Sequence, residues 1–472
     1  MRIKPNDILY TQLPLPESEK SIVPVDLTDH TMRQHKEKIL HLMQQENYDC
    51  IVVYGDREHG GNFGYLAGFE PRFEESVIVL HANGKAYMLL GNEALRMAAY
   101  SRLEVTALHT PYFSLPNQPM EGERRLSEVF SEAGVTEGEK VGLVGWKMFT
   151  AGCQDCKEML DVPAFITEPI RQIVGAGGQV LNASDLFIHP GKGARCIMNA
   201  NEIAHYEFGA ALASHCVFQT IQALEPGKTE MELAENLAAF GQPCTVQTIC
   251  ASGERFKNAV VAPRERKVET GDRFSTTMGL RGGLTNRVAY IAASDEDLPE
   301  KERDYLEKMA KPYFTAMATW YAAVKIGQTG GAIYDAIERA APKASCGWKL
   351  NPGHLTSSEE WMSSPVYPGS EIELESGMML QMDIILAIDG YGGCNAEDGI
   401  ALADEALRRE LADEYPSVWR RIQRRRQYMQ QVLGIPLDDA VLPLSNIAGY
   451  VRPFLLQKEK ALKLRIEDRT TA

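Results

Sequence analysis

Asp383 interrupts the apolar run MMLQMDIILA. A carboxylate in such a run must be paired, hydrogen-bonded or used, because burying it alone is costly. Glu397 and Asp398 follow in NAEDGIAL, beyond a hairpin signal at Asp389-Gly390. Side chains alternate along strands, so Gln381 shares a face with Asp383, and Asn395 with Glu397. Two carboxylates can therefore meet, and His354, behind the Pro-Gly turn of NPGHLTSS, can complete a His/Asp/Glu set. Such a set can hold a divalent metal that polarises a carbonyl and acidifies a water. It can equally act as acid and base if crowding and burial raise one pKa. A salt-bridged aspartate, a surface glutamate and a loop histidine would use the same residues without chemistry.

The surrounding elements divide the chain. An amphipathic helix is expected in DLTDHTMRQHKEKILHLMQQENYD, with Met32, Ile39, Leu40 and Met43 as its apolar stripe. β-like runs follow at CIVVYG, SVIVLHANG, KAYMLLGNE and EKVGLVGW. Strands alternating with helices predict an α/β unit. Its end is expected in IVGAGGQVLNASDLFIHPGKGA, which lacks the spacing of a dinucleotide loop. From Asn199 a long helix runs to Glu225-Pro226-Gly227, and Thr229 opens a second helix with Glu232 placed for a capping box. The same order returns at Gly327-Gln328-Thr329. An internal duplication explains both, and chance is the alternative. Each half is followed by a predicted hairpin, one around Gly282-Gly283 and one around Asp389-Gly390, and a charged helix lies beyond Asp404.

Of 472 residues, 49 are Lys or Arg and 64 are Asp or Glu, giving a formal charge of −15. Such acidity argues against nucleic-acid and anionic-membrane roles, and the run Arg420 to Arg426 reads as a solvated or subunit-facing helix face. No apolar stretch of about 18 residues suggests a membrane span, and the N-terminus is not expected to be a signal peptide. Nine scattered cysteines fit a cytoplasmic protein, with Cys153 and Cys156 read as reduced thiols on a helix.

Together these features resemble the pita-bread enzymes: creatinase, aminopeptidase P and prolidase. The resemblance rests on Asn62…Tyr65-Leu66-Ala67-Gly68-Phe69 with Arg72, Glu202-Ile203, EPGKTEMELA, the PGH at His354, LESGMMLQMD and NAEDGIAL, in that order. It implies an α/β (α+β) chain: a creatinase-like N-terminal domain (1–185), a duplicated pita-bread domain (190–404) and a charged helical extension (405–472). A homodimer is also implied.

The metallopeptidases of this family hold two metal ions with two aspartates, a histidine and two glutamates. Carried over by position, these fall on Thr277, a residue near Asn286, His354, Asp383 and Glu397. Thr and Asn supply no anionic charge, so an intact dinuclear centre is not expected. The family's other active-site histidine is replaced around Asn258, Val260 and Val261. Arg57, Arg72, Arg281 and Arg287 are candidate anchors for an anionic small-molecule substrate. The expected function is a hydrolase or lyase that cleaves a C–N or related bond of a carboxylate-bearing substrate. His354, Asp383 and Glu397 would act as catalytic groups, without metal or with a single Mn, Fe or Zn ion. The alternatives are an inactive binding or scaffold protein and an Xaa-Pro peptidase.

Overall fold

The first strand, β1 (Ile8–Gln12), has its partner at the far end of the chain. The computed structural model describes residues 2–19, 22–257 and 261–465, so Asn258 and Val260 lie outside the described residues. The chain divides into two units, Leu27–Cys196 and the combination of Met1–Asp26 with Ile197–Ala472. These boundaries differ from the expected 1–185, 190–404 and 405–472. The segment after Asp404 is neither separate nor wholly helical. It forms helices Glu405–Glu414 and Pro416–Gln427, then β14 (Val441–Pro443) and β15 (Lys460–Leu464), and β15 pairs antiparallel with β1.

In the unit Leu27–Cys196 the expected strands form as β2 (Cys50–Gly55), β3 (Ser76–His81), β4 (Ala86–Leu90) and β6 (Lys140–Val144). With β5 (Thr106–His109) and β7 (Gln179–Asn182) they make a mixed sheet in the order β5-β4-β3-β2-β6-β7. The amphipathic helix spans Asp29–Gln45 and buries Met32, His35, Ile39 and Met43. Cys153 and Cys156 are free and sit in a bend and a short 3-10 turn, not on an α-helix.

The other unit repeats itself in its hydrogen bonds. Helix Ala200–Ala223 is followed by Gly227 and Thr229, and helix Lys311–Ala323 by Gly327 and Thr329. Gly227 N donates to Val268 O and Gly327 N to Leu374 O (2.9 and 2.8 Å). Val268 N and Leu374 N return bonds to Lys228 O and Gln328 O (2.9 Å each). Both threonines cap the next helix, accepting from Glu232 N (3.1 Å) and Ala332 N (3.3 Å). Identical backbone wiring favours duplication over chance.

The hairpin of each half then enters one sheet. β9 (Arg273–Leu280) and β10 (Gly283–Tyr290) turn at Arg281-Gly282, while β12 (Met379–Asp383) and β13 (Asn395–Leu402) are joined by the wider loop 384–394. With β8 (Ile249–Ser252) and β11 (His354–Leu355) the order is β11-β12-β13-β10-β9-β8, and β14 pairs with β13. Helix Ala200–Ala223 packs on this sheet at Gly209, where a Cβ would stand 1.8 Å from Arg281 O. Gly209→Ala should therefore lower stability by about 2 kcal/mol or more, since backbone has to move. Thermal unfolding checks this, and a wild-type Tm would mean that the turn yields freely.

The basic run faces inward. Arg421 and Arg425 bind the buried Glu207, Arg424 pairs with Glu17 and Glu19, and Arg426 donates to the carbonyls of Asp438 and Val441. The expected solvated or subunit-facing helix is thus an internal tie. Among the described residues no helix is long and apolar enough to cross a membrane.

Candidate functional site

Strand register sets the site. Asp383 lies opposite Glu397, Glu397 opposite Asn286, Asn286 opposite Thr277, and Thr277 opposite Ile249. Directly opposed residues share a face, so one transverse row carries Asp383, Glu397, Asn286 and Thr277. All four line a cavity of about 300 Å³, with Ile249, Phe256, Leu284, Val288 and Ile385 supplying apolar walls. The register settles that Asn286, and not a neighbour, occupies the row.

His354 reaches the row from β11. Gly353 precedes it at φ +108° and packs against the Trp320 indole, a conformation that a side chain would oppose. The chain then folds back: Leu355 N donates to Ser363 O (2.7 Å) and Met362 N to Leu355 O (3.0 Å). That reversal brings Glu360 and Trp361 over the histidine. The indole stacks on the imidazole at 4.0 Å with a 24° interplanar angle. His354 Nε2 lies 3.6 Å from Glu397, 3.9 Å from Asp383 and 3.9 Å from Glu360.

Burial and mutual charge decide the protonation of these groups. Asp383 is pushed well above the usual carboxylate range, first by desolvation and then by the charge of Glu397. Glu397 is likewise held well above its ordinary value by desolvation and by Glu360, although Gln381 donates to it at 3.4 Å. The pair thus retains a proton that exposed carboxylates would lose.

The four arginines fare differently. Arg287 is 4% exposed and fully committed. It donates to both oxygens of Asp398 (2.9 and 3.1 Å) and to the carbonyls of Tyr450 (3.0 Å) and Ile447 (2.5 Å). This corrects its reading as a substrate anchor: a buried guanidinium with its hydrogens engaged cannot receive a ligand. Arg281 is half-buried at the β9–β10 turn. Arg57 and Arg72 are exposed in the unit Leu27–Cys196, where Arg72 donates to the carbonyl of Arg57 (3.1 Å). Glu360 was not anticipated. Its only sequence signal is its place a few residues beyond His354 in TSSEEW.

The row also tests a two-metal centre. Asn286 Nδ2 donates to Thr277 Oγ1 at 2.6 Å, so the two neutral side chains satisfy each other. Neither brings the charge that a pair of hard dications needs. Two ions do not fit these residues. One ion has a candidate set in His354, Glu360 and Glu397, whose ligand atoms lie within 4.8 Å of one another.

Residues 205–404 match the model of metallopeptidase family M24. No curated protein matches the chain by sequence. Among solved structures, a prolidase from Thermococcus sibiricus superposes with a TM-score of 0.62 at 18% identity, covering 80% of this chain and 96% of its own. A prolidase from Pyrococcus horikoshii OT3 gives 0.60 at 17% identity, with 78% and 95% covered. An Xaa-Pro dipeptidase from Bacillus anthracis gives 0.59 at 18%, with 79% and 96% covered. These likenesses establish the fold expected from the sequence.

Proposed function

From the premise that the C-terminal part of this chain is a metallopeptidase family M24 domain in a pita-bread fold, we propose a hydrolase that cleaves a C–N or related bond of a small substrate without a two-metal centre. The observation that carries this reading is the composition of the transverse row. Asp383 and Glu397 keep their place, while Thr277 and Asn286 are bonded to each other.

The chemistry follows from the shared proton. Burial and crowding push both carboxyls above their ordinary range, so the pair favours sharing a proton, which would provide an acid and a base on one face. The protonated member can deliver a proton to a leaving nitrogen, and the ionised member can take one from an attacking water. His354, held under Trp361, is the third group within reach of that proton. A divalent ion, when bound, would supply Lewis acidity at the same place.

The cavity wall carries carboxylates, amides and hydroxyls but no cationic side chain among the described residues. It suits the nitrogen-bearing end of a substrate. A substrate carboxylate would need a cation from beyond this wall, and Arg281 at the β9–β10 turn is the candidate within the same unit. A homodimer and a cytoplasmic location complete the proposal on resemblance and cysteine usage alone.

Turnover of amidino, amide and X-Pro substrates by wild type and Glu397→Gln tests it. We expect at least one substrate to be hydrolysed, with kcat reduced about 10²- to 10⁴-fold in the variant. Undiminished turnover would remove the carboxylate pair from the mechanism. No turnover of any substrate would favour a binding protein.

A further inference from the structure

We infer that His354, Glu360 and Glu397 form a single-cation site, taking one divalent ion of the Mn²⁺ or Zn²⁺ kind at the β11 side of the row. This rests on the reading that the two-metal centre is lost, and it adds a ligand, Glu360, from outside the strands.

The imidazole of His354 is poised for an ion. His354 is fully buried, and its Nε2 has no hydrogen-bond partner. The nearest acceptors, at 3.6 to 3.9 Å, are too distant for a hydrogen bond. Its other nitrogen, Nδ1, lies 3.3 Å from Leu355 O. A carbonyl only accepts, so Nδ1 is the donor there, and in the neutral imidazole Nε2 then directs a lone pair at carboxylate oxygens. Acceptor facing acceptor is unfavourable, and an ion drawing electron pairs from Nε2 and two carboxylates removes the conflict. A histidine ligand tied through its second nitrogen to a carbonyl is the usual outer-shell arrangement.

The spacing and support of the three side chains also suit an ion. Ligands about 2.0–2.2 Å from a common ion stand about 3–4 Å apart, and the separations of Glu397 and Glu360 from Nε2, 3.6 and 3.9 Å, already fall in that range. Trp361 fixes the ring, and the pairing of Leu355 with Met362 and Ser363 fixes the reversal that presents Glu360. Glu360 thus restores one of the charges missing at Thr277 and Asn286, from the chain reversal beyond His354. Asp383 stays outside the trio.

Chelator-stripped full-length protein titrated calorimetrically with Mn²⁺, and separately with Zn²⁺, provides the test, with Tm recorded at each addition. Wild type should bind one equivalent and gain Tm. Glu360→Gln should bind at least tenfold more weakly while its metal-free Tm matches wild type. No binding of either ion, or wild-type affinity in Glu360→Gln, overturns the site. If binding is absent but turnover persists, the proposed hydrolase stands alone. Two equivalents would overturn both.

Discussion

Asp383→Asn should yield a protein that has lost its turnover and yet unfolds at a higher temperature than wild type above neutral pH. Asp383 and Glu397 face each other across adjacent strands, 7% and 8% exposed. The native pKa of Asp383 is raised by burial and then by Glu397. The native state therefore holds its proton more tightly than the unfolded chain. Stability is fully present below the unfolded carboxylate pKa of about 4 and falls as pH rises through the elevated native value. Above that value wild type carries the whole penalty, and the amide does not. We expect a higher Tm for the variant at alkaline pH, with the gain shrinking as the pH falls toward about 4. Calorimetry across pH in chelator checks it, so that a bound ion does not mask the repulsion. A variant less stable at every pH would show that Asp383 contributes to the fold through interactions made in its ionised form.

Arg287→Met should act in the opposite sense, destabilising by about 3–5 kcal/mol. The guanidinium is the counter-charge of Asp398, which is fully buried and also accepts from Ser445 Oγ (2.7 Å) and Gly449 N (3.3 Å). Removing the arginine strands an ionised carboxylate among apolar neighbours. Replacing both partners, as Arg287→Met with Asp398→Leu, should recover much of the loss, because no charge is left unpaired. Denaturant unfolding of the single and double variants checks the pair. A single variant with wild-type stability and a raised KM would restore Arg287 as a substrate anchor.

The contrast between these residues shows what the sequence can convey. Asp383 and Glu397 were legible because strand alternation is local: an acid inside MMLQMDIILA and another beyond a turn signal had to come together. The duplicated capping grammar at Thr229 and Thr329 was legible for the same reason. Arg287 was not, since its partner Asp398 lies on another hairpin and nothing near either residue announces the pairing. The basic run at Arg420 to Arg426 misled similarly, because its countercharge, Glu207, sits in a helix some two hundred residues earlier. Glu360 escaped notice because a chain reversal, not a periodic element, carries it to His354. Loops of that kind leave no pattern in hydrophobicity, and the resemblance to pita-bread enzymes directed attention to the strands.

On the proposed reading, the row formed by Asp383, Glu397, Asn286 and Thr277 lacks the charge to hold two metal ions. Elemental analysis of the full-length protein, purified without chelators and then equilibrated with excess Mn²⁺ or Zn²⁺ and desalted, tests it directly. No more than one equivalent per chain is expected, and two equivalents would contradict the loss of the second ion.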